Sequence, residues 1–296
     1  MKKLFNFALI IISISFFACG PSVNDLKKFA AIENYPKDTY LDTVSKKRAL
    51  IIVAHDDDDC SMSGTISKLH AAGWEIKQFS LQTTTLAEGR LEHPAVIISD
   101  GNEAIVEDFD FRNGLDTTKY SYLPIPKDLF DAVFKKEKVT KALIKKVNDF
   151  DPSVIFTMDN EMGGYGHPDH IFISQLVLDL SKSDSIHPKR IYQGVYTDYM
   201  EKQIIEIRLT KKLKKWGYPN TYMIAKEVYN VTGMPEPTVE VNIQNQSATK
   251  MAYLRAYHKK AKKNIRKFIL FYEDFDHETY FNVFDKEYFR VIEFDN

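Results

Sequence analysis

The sequence is poor in cysteine. Cys19 and Cys60 are the two in 296 residues, which excludes a disulfide scaffold. It also lacks an excess of either charge: 40 Lys+Arg face 41 Asp+Glu, for a formal net charge of -1. A protein that holds nucleic acid by neutralising phosphates carries a basic excess, so that class is excluded. No GxGxxG follows the first expected strand, no HExxH occurs, and no loop has the spaced acids and central Gly of an EF-hand. No internal repeat or low-complexity tract is present. What remains is a globular composition of 44% hydrophobic and 27% charged residues, which argues against wholesale disorder and allows an ample core.

The N-terminus stands apart. Lys2 and Lys3 precede an apolar stretch from Leu4 to Ala18, too short for the roughly 20 residues of a bilayer span. It reads as a signal peptide over 1–19, to be set aside before the fold is considered. Phe16-Phe17-Ala18-Cys19-Gly20 resembles a bacterial lipobox, which implies lipidation of Cys19, a membrane anchor and a place in the bacterial cell envelope. The polar stretch 20–47 is then a tether and docking segment.

From Arg48 the chain alternates strands and helices. RALIIVA (48–54) is a continuous apolar run of the kind buried on both faces of a parallel sheet. Glu75–Gln82, Val154–Phe156 and Ile191–Tyr196 read as further strands. Leu129–Val147 and Ile171–Leu180 read as helices, as does Met62–Ala72 with its stop at Gly73. The pattern predicts an α/β, doubly wound, mostly parallel sheet in three layers, with sites at the carboxyl ends of the strands. Beyond Thr197 a helical and strand C-terminal extension follows. Its basic stretches Glu201–Trp216 and Ala248–Lys267 read as solvated amphipathic helices rather than acid-binding patches.

Two segments carry the chemistry. His55-Asp56-Asp57-Asp58-Asp59 follows the first strand, and Gly163-Gly164-Tyr165-Gly166-His167-Pro168-Asp169-His170 follows the third strong one. Four consecutive acids at a strand end repel one another unless a cation neutralises some of them. His55, one of the aspartates and His170 would supply three ligands, leaving a position open for water, and the remaining acids would serve as base or supporting partners. A solvated acidic loop is the plain reading of the first segment alone; the second His/Asp cluster argues against it. Cys60 reads as helix-start packing, and Trp74 and Trp216 as packing rather than sugar platforms. Tyr165, in its Gly-rich approach, is the best candidate substrate contact.

The strand-AHDDDD segment, the following helix with Gly64 and the downstream HPDH resemble the PIG-L/LmbE-like zinc-dependent N-deacetylases. The resemblance covers about Arg48 to Tyr196 and implies a Rossmann-like fold. HPDH matches in full. In the first motif Asp56 stands where Pro is usual and Asp59 where Glu is usual. The resemblance implies that His55, Asp58 and His170 bind Zn²⁺ or another divalent metal and that Asp57 is the general base, though Asp56 competes for a role. It implies that His167 is the electrostatic and acid partner, with Asp169 orienting it. Glu88 is a substrate contact by position, although the family's arginine helix is missing.

The implied reaction is deacetylation of an N-acetylated amino sugar or glycoconjugate. Water on the metal gives a proton to Asp57 as it attacks the acetamide, while the metal and protonated His167 stabilise the oxyanion. Two rivals stand beside it: a noncatalytic metal- or glycan-binding lipoprotein on the same fold, and a Mg²⁺-dependent phosphohydrolase.

Overall fold

The computed structural model describes residues 20–82, 102–107 and 123–295. Cys19 with the expected signal peptide, and Glu88, lie outside the described residues.

The strands are β1 (Arg48–His55), β2 (Glu75–Gln82), β3 (Asn102–Ala104), β4 (Val154–Met158), β5 (Arg190–Val195), β6 (Val239–Asn242) and β7 (Lys286–Glu293). They form one seven-stranded sheet in the order β3-β2-β1-β4-β5-β7-β6. Strands β1 to β5 are mutually parallel, and β7 runs antiparallel between β5 and β6. The apolar run of β1 alternates between two cores, which is why it is uninterrupted. Leu50, Ile52 and Ala54 enter one, while Ala49, Ile51 and Val53 enter the other.

Helices α1 (Ser63–Ala71), α2 (Lys136–Phe150) and α3 (Pro168–Lys182) cover the sheet with α4 (Thr221–Tyr229), α5 (Ser247–Ala256) and α6 (Lys259–Ile265). Val139, Leu143 and Val147 of α2 and Ile173 and Val177 of α3 pack on one face. Ile66 and Leu69 of α1 and Met251 and Leu254 of α5 pack on the other. Because β2 and β3 grow from one side of β1 and β4 and β5 from the other, the order reverses between β1 and β4. A crevice opens there, beyond their carboxyl ends. Both chemical segments begin at that point.

Three expectations need correction. The helix expected over Leu129–Val147 breaks at Lys135, whose φ is 47°, into Phe130–Val133 and α2. The helix expected over Ala248–Lys267 breaks at Tyr257, extended at ψ 146°, into α5 and α6. Helix begins at Asp198, ahead of the expected Glu201, and runs through a π-helical stretch, Lys202–Leu209, to Thr210–Lys215. That wider turn is uncommon and recurs at functional sites.

The C-terminal residues are tied into the core. Glu287 of β7 accepts the backbone N–H groups of Gly64 (2.8 Å) and Thr65 (2.7 Å) at the start of α1. Buried Lys250 of α5 pairs with the same carboxylate. Before β1, the short helix Val23–Lys27 buries Leu26, and the Tyr192 hydroxyl donates to Asp38 (2.8 Å). Among the described residues no helix is long and apolar enough to cross a membrane.

Candidate active site

β1 delivers His55 to the crevice, and the chain then turns through a short 3₁₀ helix, Asp58–Ser61. The turn folds the Asp58 carboxylate back to accept the His55 backbone N–H (2.8 Å). From the other side, β4 ends in a loop organised by Asp159. One Asp159 oxygen accepts the N–H groups of Glu161 (3.0 Å), Met162 (2.6 Å) and Gly163 (3.1 Å), and the other accepts that of Gly164 (2.7 Å). The loop leads to His167, the N-cap of α3, whose Nδ1 accepts the Asp169 N–H (3.3 Å). Gly166 is required where it stands. Its φ is +93°, and a Cβ there would meet the Ala225 Cβ of α4 at 2.5 Å.

The two segments converge on three donor groups. His55 Nδ1 and His170 Nε2 are 3.1 Å apart. Asp58 Oδ2 lies 3.5 Å from the first and Asp58 Oδ1 3.2 Å from the second. Donors bound at about 2.1 Å to a tetrahedral ion stand about 3.4 Å from one another, so this trio has the spacing of a three-ligand zinc site. His170 Nδ1 lies 2.9 Å from the Gly163 carbonyl, which fixes the tautomer whose Nε2 lone pair faces the trio. The rings of His55, His167 and His170 also place one nitrogen each within 4.8 Å of one another, so His167 borders the same point.

The electrostatics match this grouping. Burial opposes a charge on His55, but Asp58 and Asp169 outweigh it and hold the imidazole well above its usual range. Burial likewise opposes the Asp58 carboxylate, and His170 and His55 overcome it, holding the carboxyl well below its usual range. Asp57 is different. Burial, then Asp58, raise it to about 6, with His55 opposing and Asp56 and Asp59 adding. It lines the cavity, and its carboxylate forms no hydrogen bond among the described residues. Asp56 is fully buried and does not line the cavity, whereas Asp57 does.

Two implied roles change in detail. The Asp169 carboxylate stands 3.4 Å from His55 Nε2 and 3.6 Å from His167 Nδ1, so it supports His55 at least as closely as it orients His167. Burial presses the His167 imidazolium well below its usual range, with Asp169 opposing and His170 and His55 adding to the effect. Burial thus favours the neutral imidazole, in which Nδ1 accepts a backbone N–H and Nε2–H is the donor.

The site opens into a cavity of about 980 Å³ lined by His55, Asp57, Asp58, Tyr165, His167 and His170, among others. Tyr165 stacks on Phe268 (4.6 Å) and stands edge-on to His170 (5.5 Å). Cys60 also lines the cavity; burial, then Asp57, Asp59 and Asp58, keep its thiol protonated. Trp74 is buried as expected. Trp216 is not packing: it is 48% exposed on the cavity wall.

Spacing along the chain missed three supports. Tyr253 and Tyr257, at the end of α5 and just beyond it, both donate to Asp59, Tyr257 at 2.8 Å. Asp159 is the third. Only the sharing of a loop with HPDH hints at it, and removing its acceptor geometry should loosen His170. Asp159→Asn is expected to weaken metal retention about 10- to 100-fold in a chelator competition, the usual cost of losing such outer support. Unchanged retention would deny it that role.

The chain is similar to several known proteins. Residues 50–181 match the PIG-L family, described as GlcNAc-PI de-N-acetylase. A curated relative, 1D-myo-inositol 2-acetamido-2-deoxy-alpha-D-glucopyranoside deacetylase of Segniliparus rotundus, is 27% identical over 249 residues, covering 71% of this chain and 76% of its own. Among solved structures, N,N′-diacetylchitobiose deacetylase from Pyrococcus horikoshii aligns at a TM-score of 0.46 and 15% identity, over 86% of this chain and 89% of that one. A deacetylase of the teicoplanin biosynthesis pathway aligns at 0.49 and 11%, over 84% and 99%. The matched residues 50–181 contain both chemical segments, so that over this stretch the chain is similar to the PIG-L/LmbE-like deacetylases.

Proposed function

We propose that this chain is a zinc-dependent deacetylase that removes the acetyl group from an N-acetylated amino sugar or glycoconjugate. The observation that carries the reading is the His55–Asp58–His170 trio at ligand spacing, with cavity-lining Asp57 beside it. The curated relative, named for an acetamido-sugar substrate, points the same way.

His55, Asp58 and His170 would hold the ion. A divalent cation in that position supplies Lewis acidity, polarising a carbonyl and lowering the pKa of water toward about 7. The chain's own groups do the rest. Asp57 accepts the proton released as water adds to the acetamide carbon. Neutral His167 donates from Nε2 toward the developing oxyanion, a contribution of about 3 to 4 kcal/mol for one such donor. Tyr165, stacked on Phe268 in the cavity lining, is the substrate contact. The phosphohydrolase rival fits less well, because two imidazoles among three donors suit zinc and not magnesium, which favours oxygen ligands.

The deciding experiment measures acetate release from a panel of N-acetylated saccharides. Release abolished in His170→Ala supports the reading, and silence of the wild-type protein across the panel overturns it.

Metal uptake offers a separate check. Ligands bind deprotonated, while His55 without an ion is held protonated by Asp58 and Asp169. Zinc added to the metal-free protein near pH 7 is therefore expected to release about one proton per ion, read with a pH indicator. Zero release would contradict the ligand role of His55. We further propose that acylated Cys19 holds the enzyme at an envelope membrane.

A further inference from the structure

Helix α6 and the helix ending at Lys215 carry the two lysine runs that read as separate solvated faces. In the fold they meet at the cavity mouth. Arg208 donates to the Lys267 carbonyl (3.2 Å), which ties the two helices together. Lys263 and Lys267 line the cavity, and neither forms an ion pair among the described residues. Lys267 donates to the Asn264 side chain (3.0 Å). The charge of neighbouring Arg266 is matched by Glu273 (3.0 Å). Like charges are crowded here: burial, then Arg208, Lys267 and Arg266, depress the Lys212 ammonium, and burial and Lys263 depress that of Lys267, with Asp57 opposing.

The helical stretch 202–216 contributes no countercharge to the lining: its residues there are Ile204, Ile205, Leu209, Leu213 and Trp216. Apolar walls focus the field of charges of one sign and concentrate counterions between them. The cavity floor has the opposite character. Asp57 and Asp58, with Asp169 behind them, outnumber the two positive charges of a single divalent ion. An anionic group is repelled from the floor and held at the rim, so a molecule bearing one enters with its neutral end first.

We propose that Lys263 and Lys267 form an anion subsite at the cavity mouth, which selects and orients N-acylated amino sugars carrying a phosphate, sulfate or carboxylate group. The proposal deepens the deacetylase reading and rests on it for the site. The lysines lie outside residues 50–181, so they belong to this chain's extension and not to the matched family segment.

The test compares binding of glucosamine and glucosamine 6-phosphate to the zinc-loaded full chain by calorimetry, so that it needs no turnover. The phosphate is expected to improve affinity about 10-fold at low salt and to lose most of that advantage at 0.5 M NaCl, roughly as screening requires. Lys263→Gln with Lys267→Gln should reduce the advantage to about twofold or less. Lys259→Gln with Lys262→Gln, on the same helix but outside the cavity, should preserve it. Equal affinities in the wild type, or an advantage that survives the first double substitution, overturns the subsite. Cosedimentation with anionic vesicles that depends on Lys263 and Lys267, without any phosphate advantage, assigns the pair to a membrane surface and also overturns it. Acetate release from N-acetylglucosamine and its 6-phosphate separates the two readings. A phosphate advantage in binding without release from either sugar sinks the deacetylase reading alone. Release from both with equal binding sinks the subsite alone.

Discussion

Asp57→Asn is expected to lower kcat by about 10²- to 10⁴-fold while zinc content stays at the wild-type level, the range that a positioned proton acceptor contributes. Asparagine matches the carboxylate in shape and cannot take the proton. Retention of metal is expected because Asp57 is not one of the three donors at ligand spacing. The pH profile gives the same residue a second signature. Burial and the neighbouring acids raise Asp57 to about 6 without an ion, against the pull of His55. A bound cation favours the ionised carboxylate and can only lower that value. The base must be ionised to act, so kcat/KM should fall on the acid side with its limb at or below about pH 6. Wild-type turnover in the Asn variant, or an acid limb well above pH 7, would remove Asp57 from this role.

The largest loss of stability is expected at a residue that is not one of the donors. Glu287→Ala strands the buried Lys250 ammonium and the two N–H groups that open α1. Breaking a buried pair from one side costs about 3 to 5 kcal/mol. In a domain of this size that corresponds to a fall in Tm on the order of 10 °C. Lys250→Met should cost less, because Glu287 keeps both backbone donors. A calorimetric scan ranks the two. A fall below about 2 °C for Glu287→Ala, or the reverse order, would show that the β7 carboxylate does not secure α1.

These expectations also mark what the sequence could reveal. The run 48–54, the stop at Gly73 and HPDH were readable because each is local: strand, turn and helix start declare themselves within a few residues. The crevice followed from strand alternation, since a parallel order that reverses gathers its carboxyl ends. The supports were not readable. Asp59 meets Tyr253 and Tyr257 from 194 and 198 positions away, and Glu287 meets Gly64 across 223. No periodicity records such distances. The breaks at Lys135 and Tyr257 were missed for a related reason. Neither Lys nor Tyr is a helix breaker, so their conformations are set by tertiary contacts, as the Tyr257 phenol on Asp59 illustrates.

The grip of two phenols on Asp59 constrains substitution there. Glutamate, the family's usual residue there, is longer by one methylene and would drive its carboxylate into hydroxyls that already contact the shorter side chain. Asp59→Glu alone is therefore expected to be destabilising, as is loss of either phenol while Asp59 remains. The three side chains act as one unit, so that substitutions at positions 59, 253 and 257 are coupled and not additive.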